Sequence, residues 1–214
     1  MTARVVAAAL AVLLLAGCAA GSDGAVGPEG AAQVRAPDTF GWGGTPIRNG
    51  YPLPAQEFTD TAGRSVVPAE DADAPVTLVF FGYTHCPDIC NVVLANIASA
   101  LRKSTPRVRR STEVLFISTD PARDTPGVVR EYLDRFDPTY TGLVAPVAAV
   151  EQAASALHIS YERPDGSTGG YQVEHGAYTT AFLAGDARLV WAEDTTVAEL
   201  QTDLARLTRL ARLA

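Results

Sequence analysis

The 214-residue sequence predicts an α/β fold in which helices flank a central mixed β-sheet, and three patterns carry that prediction. Two short apolar runs rich in β-forming residues, 76–81 and 114–118, are typical of strands buried on both faces. The segment between them repeats its apolar residues at helical spacing, which predicts a strand-helix-strand unit with a right-handed crossover and parallel strands. Residues 197–210 have apolar side chains at three- and four-residue steps and predict an amphipathic helix packed on the sheet.

Two further elements surround this unit. Before it, Phe58 and Val66 flank a turn at residues 61–63, which predicts an N-terminal hairpin. After it, Thr125 is placed to cap a helix, and Pro126 would occupy the first helical position.

The remaining elements follow towards the C-terminus. A short helix is expected over residues 148–157, followed by a polar, glycine-rich loop over residues 161–176. Residues 177–184 and 189–192 then predict a hairpin that turns at Gly185-Asp186. In this order the elements resemble the thioredoxin fold, which identifies an architecture and not a function.

The N-terminus predicts export from the cytoplasm. Arg4 precedes an unbroken apolar run over residues 5–15, which is too short to span a bilayer and suits a signal peptide. The segment Leu15-Ala16-Gly17-Cys18 resembles a bacterial lipobox, in which Cys18 becomes the lipid-modified first residue after cleavage. A plain secretory signal with an incidental cysteine is the alternative.

These features predict three regions along the chain. Residues 1–17 are the expected lipoprotein signal peptide, residues 18–43 are lipidated Cys18 with a flexible tether, and residues 44–214 are the folded domain. The expected location is the outer face of the bacterial cytoplasmic membrane. The net charge of −7 argues against nucleic acid or anionic lipid as a partner, so membrane attachment would depend on acyl chains at Cys18.

Cys86 and Cys90 stand four residues apart, after the first buried strand and before the helix that follows it. If the helix begins near them, this spacing places both sulfurs on one side, close enough to share a metal ion or a disulfide. A helix N-terminus lowers cysteine pKa and favours the thiolate, which serves metal binding and thiol-disulfide exchange alike. A purely structural crosslink is a third interpretation, although closing so short a loop stabilises a protein little.

Metal chemistry narrows these alternatives only in part. A closed structural zinc site needs four ligands, and the sequence offers two cysteines beyond Cys18 and three histidines, one of them beside Cys86. Two thiolates and an imidazole suit Cu(I). The residues alone leave metal binding and redox exchange open, and His175 is the candidate that would decide between them.

Three motifs together resemble the Sco/SenC family. They are Gly82-Tyr83-Thr84-His85-Cys86-Pro87-Asp88-Ile89-Cys90, Phe116-Ile117-Ser118-Thr119-Asp120-Pro121-Ala122-Arg123-Asp124-Thr125-Pro126 and Val173-Glu174-His175. The resemblance covers the chain from about Gly44 onward. It implies copper bound by Cys86, Cys90 and His175 on a thioredoxin-like fold, for assembly of the CuA centre of cytochrome c oxidase.

The resemblance also implies partners. These are the CuA-bearing subunit II of cytochrome c oxidase and a copper donor chaperone, and the protein would be an assembly factor rather than an enzyme. The alternative is a membrane-tethered thiol-disulfide oxidoreductase in which Cys86 and Cys90 form a redox-active pair that reduces the CuA-site cysteines. General oxidoreductases typically have Cys-x-x-Cys, which argues mildly against this alternative. A peroxide-reducing thiol enzyme is a third and more distant alternative.

Four polar residues near the motifs could contact or tune the copper ligands: His85, Asp88, Asp120 and Arg123. Each except His85 also has a plainer interpretation, because Asp88 could cap the helix, and Asp120 and Arg123 could form an ion pair at the end of a parallel strand. His158 has no expected ligand role.

Asn91 follows the second cysteine where the Sco/SenC family often has proline. Proline would favour the first helical turn, so its absence puts the rigidity of that turn in question and leaves the ligands themselves intact.

Overall fold

The computed structural model describes residues 41–162, 174–175 and 177–213, and of Glu162, Glu174 and His175 it describes the backbone alone. The predicted signal peptide, Cys18 and most of the tether lie outside the described residues. The helices are α1 (Pro68–Asp71), α2 (Ile89–Lys103), α3 (Pro106–Arg110), α4 (Pro126–Leu133), α5 (Val147–Ala156) and α6 (Val197–Leu210). The strands are β1 (Thr45–Pro46), β2 (Phe58–Asp60), β3 (Ser65–Val66), β4 (Val76–Gly82), β5 (Thr112–Ser118), β6 (Thr141–Val144), β7 (Tyr161–Glu162), β8 (Glu174–His175), β9 (Thr179–Leu183) and β10 (Asp186–Trp191).

Eight of these strands form one mixed sheet in the order β1-β10-β9-β4-β5-β6-β2-β3. β4 pairs in parallel with β5, from Val76 opposite Thr112 to Gly82 opposite Ser118, and β5 pairs in parallel with β6. The other pairings in this sheet are antiparallel. The predicted mixed sheet, the parallel strand-helix-strand unit and the N-terminal hairpin, which is β2–β3, are therefore confirmed.

The central strand β4 is buried along its whole length, and its alternate side chains enter two separate cores. Val76, Leu78 and Phe80 belong to one core, which includes the buried faces of α2, α4 and α6. Val79 and Phe81 belong to the other core, which includes the buried face of α5. Helices thus cover both faces of the sheet, and for that reason β4 is apolar apart from Thr77 instead of alternating with polar residues.

Capping side chains fix where three of the helices begin. At α3, the Thr105 hydroxyl accepts a hydrogen bond from the backbone N–H of Val108. At α4, the Thr125 hydroxyl accepts a hydrogen bond from the backbone N–H of Val128, and Pro126 occupies the first helical position. At α6, Thr196 and Glu199 form a reciprocal capping box. Such caps satisfy N–H groups that lack partners inside the helix, and each stabilises the fold by about 1 kcal/mol.

The closing hairpin turns one residue earlier than the sequence predicts. β9 ends at Leu183 and β10 begins at Asp186, so the turn is Ala184-Gly185 and not Gly185-Asp186. Both turn residues have positive φ, 51° at Ala184 and 82° at Gly185, which suits the twist of a two-residue hairpin. Glycine signals such a turn and alanine rarely does, so the pattern misplaces the turn by one residue.

β7 and β8 form a separate antiparallel pair in which Tyr161 lies opposite His175. The sequence predicts only a loop across this region, because strands of two residues have no periodicity to detect. The pairing fixes the backbone of His175 beside that of Tyr161.

Candidate metal and redox site

Cys86 lies in the loop that follows β4, and Cys90 lies in the first turn of α2. The backbone N–H of Cys86 donates to the carbonyl of Tyr83 at 3.2 Å, which turns the chain between strand and helix. Open α/β sheets bind ligands at this edge, beyond the carboxyl ends of the parallel strands. The two cysteines therefore lie at the edge where the fold favours a site.

The two cysteines contact each other across the first turn of α2. The backbone N–H of Cys90 donates to Sγ of Cys86 at 3.4 Å, and the two side chains are hydrogen-bonded. The two cysteines are not joined in a disulfide, and their relative exposures are 6% for Cys86 and 0% for Cys90. The two side chains thus share one side of the turn, as the four-residue spacing predicts, and Cys86 is the more accessible of the two.

The Cys90 thiol holds its proton more strongly than an ordinary cysteine does. The hydrogen bond to Cys86 and burial together raise the pKa of the Cys90 thiol far above its ordinary value. This direction is opposite to the one expected from the helix N-terminus, because the hydrogen bond to Cys86 and burial both favour the protonated thiol of Cys90. The raised pKa favours the protonated form of Cys90 in the metal-free protein, and Cys90 must lose that proton before it can bind a metal.

Gly82 lets the start of α2 approach the end of β4. A β-carbon at this position would lie 2.8 Å from the ring of Phe116 and 3.2 Å from Sγ of Cys90. The carbonyl of Gly82 accepts hydrogen bonds from the backbone N–H and the hydroxyl of Thr119, at 2.8 and 3.2 Å. Gly82 thus sets the position of Cys90 and joins the cysteine loop to the loop that follows β5.

Asp124 is a buried carboxylate that joins the same two loops, a role that its sequence position does not reveal. It accepts hydrogen bonds from the backbone N–H and hydroxyl of Thr84, at 3.1 and 2.6 Å, and from the hydroxyl of Ser118 at 2.7 Å. Burial raises the pKa of Asp124, and the hydrogen bonds from Ser118 and Thr84 partly offset that rise. Asp124 therefore holds the residues just before Cys86 against the end of β5.

Asp120 and Arg123 form an ion pair, as the plainer interpretation of these two residues predicts. Asp120 is fully buried, and the guanidinium of Arg123 lies over the ring of Tyr83 at 5.9 Å from its centroid. Because Tyr83 begins the cysteine loop, the pair supports that loop from the β5 side.

Asn91 occupies the third position of α2, and its side chain contacts the cysteine loop. The amide nitrogen donates to the carbonyl of Cys86 at 3.5 Å, and the amide oxygen accepts from the hydroxyl of Tyr132 at 3.1 Å. Burial raises the pKa of the Tyr132 hydroxyl, and the nearby cysteines add to the rise. Asparagine therefore supplies side-chain hydrogen bonds at a position where proline would supply backbone rigidity.

The backbone of His175 is connected to this region through β7. His175 pairs with Tyr161, and the hydroxyl of Tyr161 donates to the carbonyl of Thr119 at 2.9 Å. Thr119 in turn bonds to Gly82 at the base of the cysteine loop. The side chain of His175 lies outside the described residues, so its ligand role stays a prediction. Among the side chains that are described, no group of three His, Cys, Asp or Glu residues could hold a metal ion.

His85, Asp88 and His158 are exposed. Nδ1 of His85 lies 3.0 Å from the hydroxyl of Thr84, in the loop that carries Cys86. Asp88 occupies the N-cap position of α2, but its side chain accepts no capping hydrogen bond. Asp88 therefore lies at the position where a cap is expected, but its side chain does not cap the helix. His158 packs edge-to-face on the ring of Tyr51, with 5.3 Å between the ring centroids.

Comparison with known protein families finds a match to SCO1/SenC over residues 53–209. Among curated proteins, 99 residues are 34% identical to the mitochondrial Protein SCO1 homolog 1 of Arabidopsis thaliana, which is 46% of this chain and 30% of that protein. The matches span about a third of the length of this relative and of the SCO1 and SCO2 proteins of Saccharomyces cerevisiae.

Solved structures share the architecture. The solution structure of apo Sco1 from Thermus thermophilus has a TM-score of 0.70 at 30% identity, over 78% of this chain and 96% of that chain. The structure of Bradyrhizobium japonicum ScoI with copper bound has a TM-score of 0.64 at 30% identity, over 74% of this chain and 99% of that chain. The predicted thioredoxin-like α/β fold is therefore confirmed.

Proposed function

This chain belongs to the SCO1/SenC family, and we propose that it is a copper metallochaperone for the CuA centre of cytochrome c oxidase. Proteins of the Sco family take part in copper binding and in cytochrome c oxidase assembly. In this proposal Cys86, Cys90 and His175 bind one copper ion, which a donor chaperone supplies. The ion then passes by ligand exchange to subunit II of the oxidase.

The placement of two soft sulfur donors side by side at the start of α2 carries the proposal. Sγ of Cys86 lies 3.4 Å from the backbone nitrogen of Cys90, and the two thiols are hydrogen-bonded to each other. Thiolate ligands select Cu(I), and imidazole is a suitable third donor. Because Asp124 and Gly82 already hold the loops that carry the sulfurs, binding requires little reorganisation of this part of the site.

Proton release must accompany copper binding. Metals are bound by thiolates, and the hydrogen bond to Cys86 and burial hold the pKa of Cys90 above its ordinary value. The ion would replace the proton of Cys90, so copper affinity is expected to rise with pH. Transfer to the partner would return a proton to Cys90.

Accessibility suggests an order for the transfer. Cys86 is 6% exposed and its neighbour His85 is exposed, whereas Cys90 is fully buried. An incoming thiolate of subunit II would therefore displace Cys86 before it displaces Cys90.

Copper titration of the reduced protein tests the proposal. We expect one copper ion per wild-type chain and a loss of affinity of more than about 100-fold in Cys86→Ser or Cys90→Ser, since changes around ligands alone commonly cost 10–100-fold. His158→Ala alters an exposed histidine that packs on Tyr51 and is the matched control, with wild-type affinity. Wild-type affinity in both serine variants would contradict the proposal.

A second function, reduction of the CuA-site cysteines, is favoured by the unequal accessibility of the two thiols. Cys86 as thiolate would attack a disulfide of the partner, forming a mixed disulfide and releasing one partner thiolate. Cys90, after losing its proton, would then attack the Cys86 sulfur and release the second partner thiolate. Two electrons pass to the partner, and the protein is left with a Cys86–Cys90 disulfide that an external dithiol must reduce.

Reaction of the copper-free, reduced protein with an oxidised CuA-site peptide tests this second function. We expect two peptide thiols to appear for each disulfide formed in the protein. Cys90→Ser should stop at the mixed disulfide, and Cys86→Ser is the background control. A wild-type rate equal to that of Cys86→Ser would exclude the reductase function.

We also propose that the protein is anchored to the outer face of the cytoplasmic membrane through lipid at Cys18. In the part of the chain that the structure describes, no helix has the length and apolar character needed to cross a membrane. Metabolic labelling with a radioactive fatty acid should label the wild type and not Cys18→Ser. Equal labelling of both proteins would contradict the anchor.

A further inference from the structure

A cluster of cations lies at the end of the domain opposite the cysteines. We call it the basic end, and it consists of Lys103, Arg107, Arg109, Arg110, Arg209 and Arg212, all of them exposed. These residues come from the last residue of α2, from α3, from the last turn of α6 and from the turn that follows α6. α3 leads into the start of β5, whereas the cysteine loop follows the far end of the parallel neighbour β4. The two surfaces therefore lie at opposite ends of the parallel strands.

The positive charges of the basic end are not neutralised by neighbouring carboxylates. Within the described residues, none of the six takes part in an ion pair. Nη1 of Arg109 instead donates to the carbonyls of Arg102 and Ser104, at 3.3 and 2.7 Å. In a chain of net charge −7, such a concentration of like charge produces a local positive field that attracts anions. The negative net charge of the whole chain therefore gives no indication of this positive surface.

A groove of about 330 Å³ lies between α3 and α6 within the basic end. Lys103, Arg107, Arg209 and Arg212 line it, and no acidic residue of the described chain does. Thr208 also lines the groove and is only 4% exposed; its hydroxyl oxygen is buried in the wall and has no hydrogen-bond partner among the described residues. Four cations and no acidic residue in the described lining favour a ligand with acceptor oxygens, such as a phosphate group.

Two exposed leucines adjoin the same cations. Leu210, the last residue of α6, is 40% exposed, and Leu213, in the turn that follows, is 84% exposed; they follow Arg209 and Arg212 directly in the chain. Cations beside exposed apolar side chains are typical of protein surfaces that contact a bilayer, where the cations meet phosphates and the apolar groups enter the acyl boundary. A free phosphate ion would account for the groove but not for the leucines.

We propose that the basic end docks on the anionic phospholipid headgroups of a membrane, with one lipid phosphate in the groove beside Thr208. The proposal rests on the proposed location of the protein at a membrane and not on copper binding. β4 and β5 have seven residues each and are therefore about 20 Å long. Docking through the basic end would direct the cysteine loop away from the bilayer, towards a partner domain that projects from the membrane.

Vesicle sedimentation with residues 36–214 tests the proposal. The described part of this range contains both cores, and the range lacks the predicted signal peptide and Cys18, so any binding reports the domain itself. We expect binding to vesicles of phosphatidylglycerol and phosphatidylcholine, little binding to phosphatidylcholine alone, and weaker binding as salt increases. Absence of binding to the anionic vesicles at low salt would overturn the proposal.

Charge-reversal variants locate the surface. R209E/R212E is expected to lower affinity for anionic vesicles by at least about tenfold. The matched control R48E/R188E makes the same change in net charge at two exposed arginines outside the basic end, and it should lower affinity by about twofold or less. Equal losses in the two double variants would show that net charge alone drives binding, which contradicts a defined docking surface.

Two variants separate the lipid from a free anion. Leu213→Ser should weaken vesicle binding severalfold and leave the weak binding of inorganic phosphate unchanged, whereas R209E/R212E should weaken both. Phosphate binding without vesicle binding, or no effect of Leu213→Ser on vesicles, would overturn the assignment to a membrane. R209E/R212E should retain wild-type copper affinity, so failure of the docking proposal is distinguishable from failure of the copper proposal.

Discussion

The hydroxyl of Thr84 lies 2.6 Å from Oδ1 of Asp124, which is 40 positions further along the chain. Together with the bond from Ser118, this contact places a buried carboxylate between the loop that carries Cys86 and the end of β5. Asp124 therefore acts on the sulfurs through the loop and not as a ligand.

Asp124→Asn should weaken the fold and the site together. The amide replaces one acceptor oxygen with a donor that faces the donors of Thr84 or Ser118, so a buried hydrogen bond is lost. We expect the free energy of unfolding in urea to fall by about 1–3 kcal/mol and copper affinity to fall severalfold. Asp134→Asn changes a half-exposed carboxylate paired with Arg130 and should alter stability by less than about 1 kcal/mol. Equal stability of the two variants would contradict the role given to Asp124.

Gly82→Ala should displace the start of α2. The new β-carbon would lie 2.8 Å from the Phe116 ring and 3.2 Å from Sγ of Cys90, so the helix or the ring must move. We expect a loss of about 1–3 kcal/mol in urea unfolding, with weaker copper binding. Gly127→Ala is the control, because nothing lies within 4 Å of its added β-carbon and alanine favours the helix. A Gly82→Ala protein as stable as Gly127→Ala would be inconsistent with close packing at this point.

Asn91 and Tyr132 should be energetically coupled. Asn91→Ala leaves the buried Tyr132 hydroxyl without its partner and is expected to cost about 1–3 kcal/mol of unfolding free energy. Tyr132→Phe removes the other partner, and the double variant should lose less than the sum of the two single losses. Additive losses in this double-mutant cycle would show that the 3.1 Å contact contributes nothing.

Stability of the metal-free, reduced protein should fall at alkaline pH because of Cys90. Its pKa is raised in the folded state, by the bond to Cys86 and by burial, above the ordinary value of 9.0. Above about pH 9 the unfolded chain loses this proton while the folded protein keeps it, so the stabilising contribution present below pH 9 is lost as pH rises.

The measurement is urea unfolding between pH 8 and pH 10 for the wild type and Cys90→Ala. The wild type should lose about 1 kcal/mol more than the variant over this range, since one unit of pH is worth about 1.4 kcal/mol once a single group titrates in the unfolded chain alone. The range stops at pH 10, where the raised pKa of the Tyr132 hydroxyl, ordinarily 10.0, would begin to contribute. Parallel pH profiles would show that Cys90 does not hold its proton.

The sequence predicts those parts of the fold whose signals are local. The apolar run of β4, the helical spacing within α2 and the Thr125-Pro126 start of α4 each identify an element from neighbouring residues, and all three are confirmed. Turn residues are informative as well, but Gly185 identifies the closing turn only to within one residue, because its partner Ala184 adopts a positive φ without a sequence signal.

The contacts that support the site are not local, and for that reason the sequence does not reveal them. Asp124 reaches Thr84 across 40 positions, and Asn91 meets Tyr132 across 41. The raised pKa of Cys90 has the same origin, since it follows from burial that only the packed structure defines. The ligand set Cys86, Cys90 and His175 follows from family resemblance, and the structure adds the sulfur geometry and the backbone position of His175.

Copper titration of the His175→Ala variant, followed by electron paramagnetic resonance of the Cu(II) form, tests the three-ligand site most directly. The account predicts sulfur and imidazole ligation in the wild type and in His158→Ala. It predicts loss of the imidazole nitrogen signal and an affinity at least about tenfold lower in His175→Ala. Unchanged affinity and an unchanged nitrogen signal in His175→Ala would contradict it.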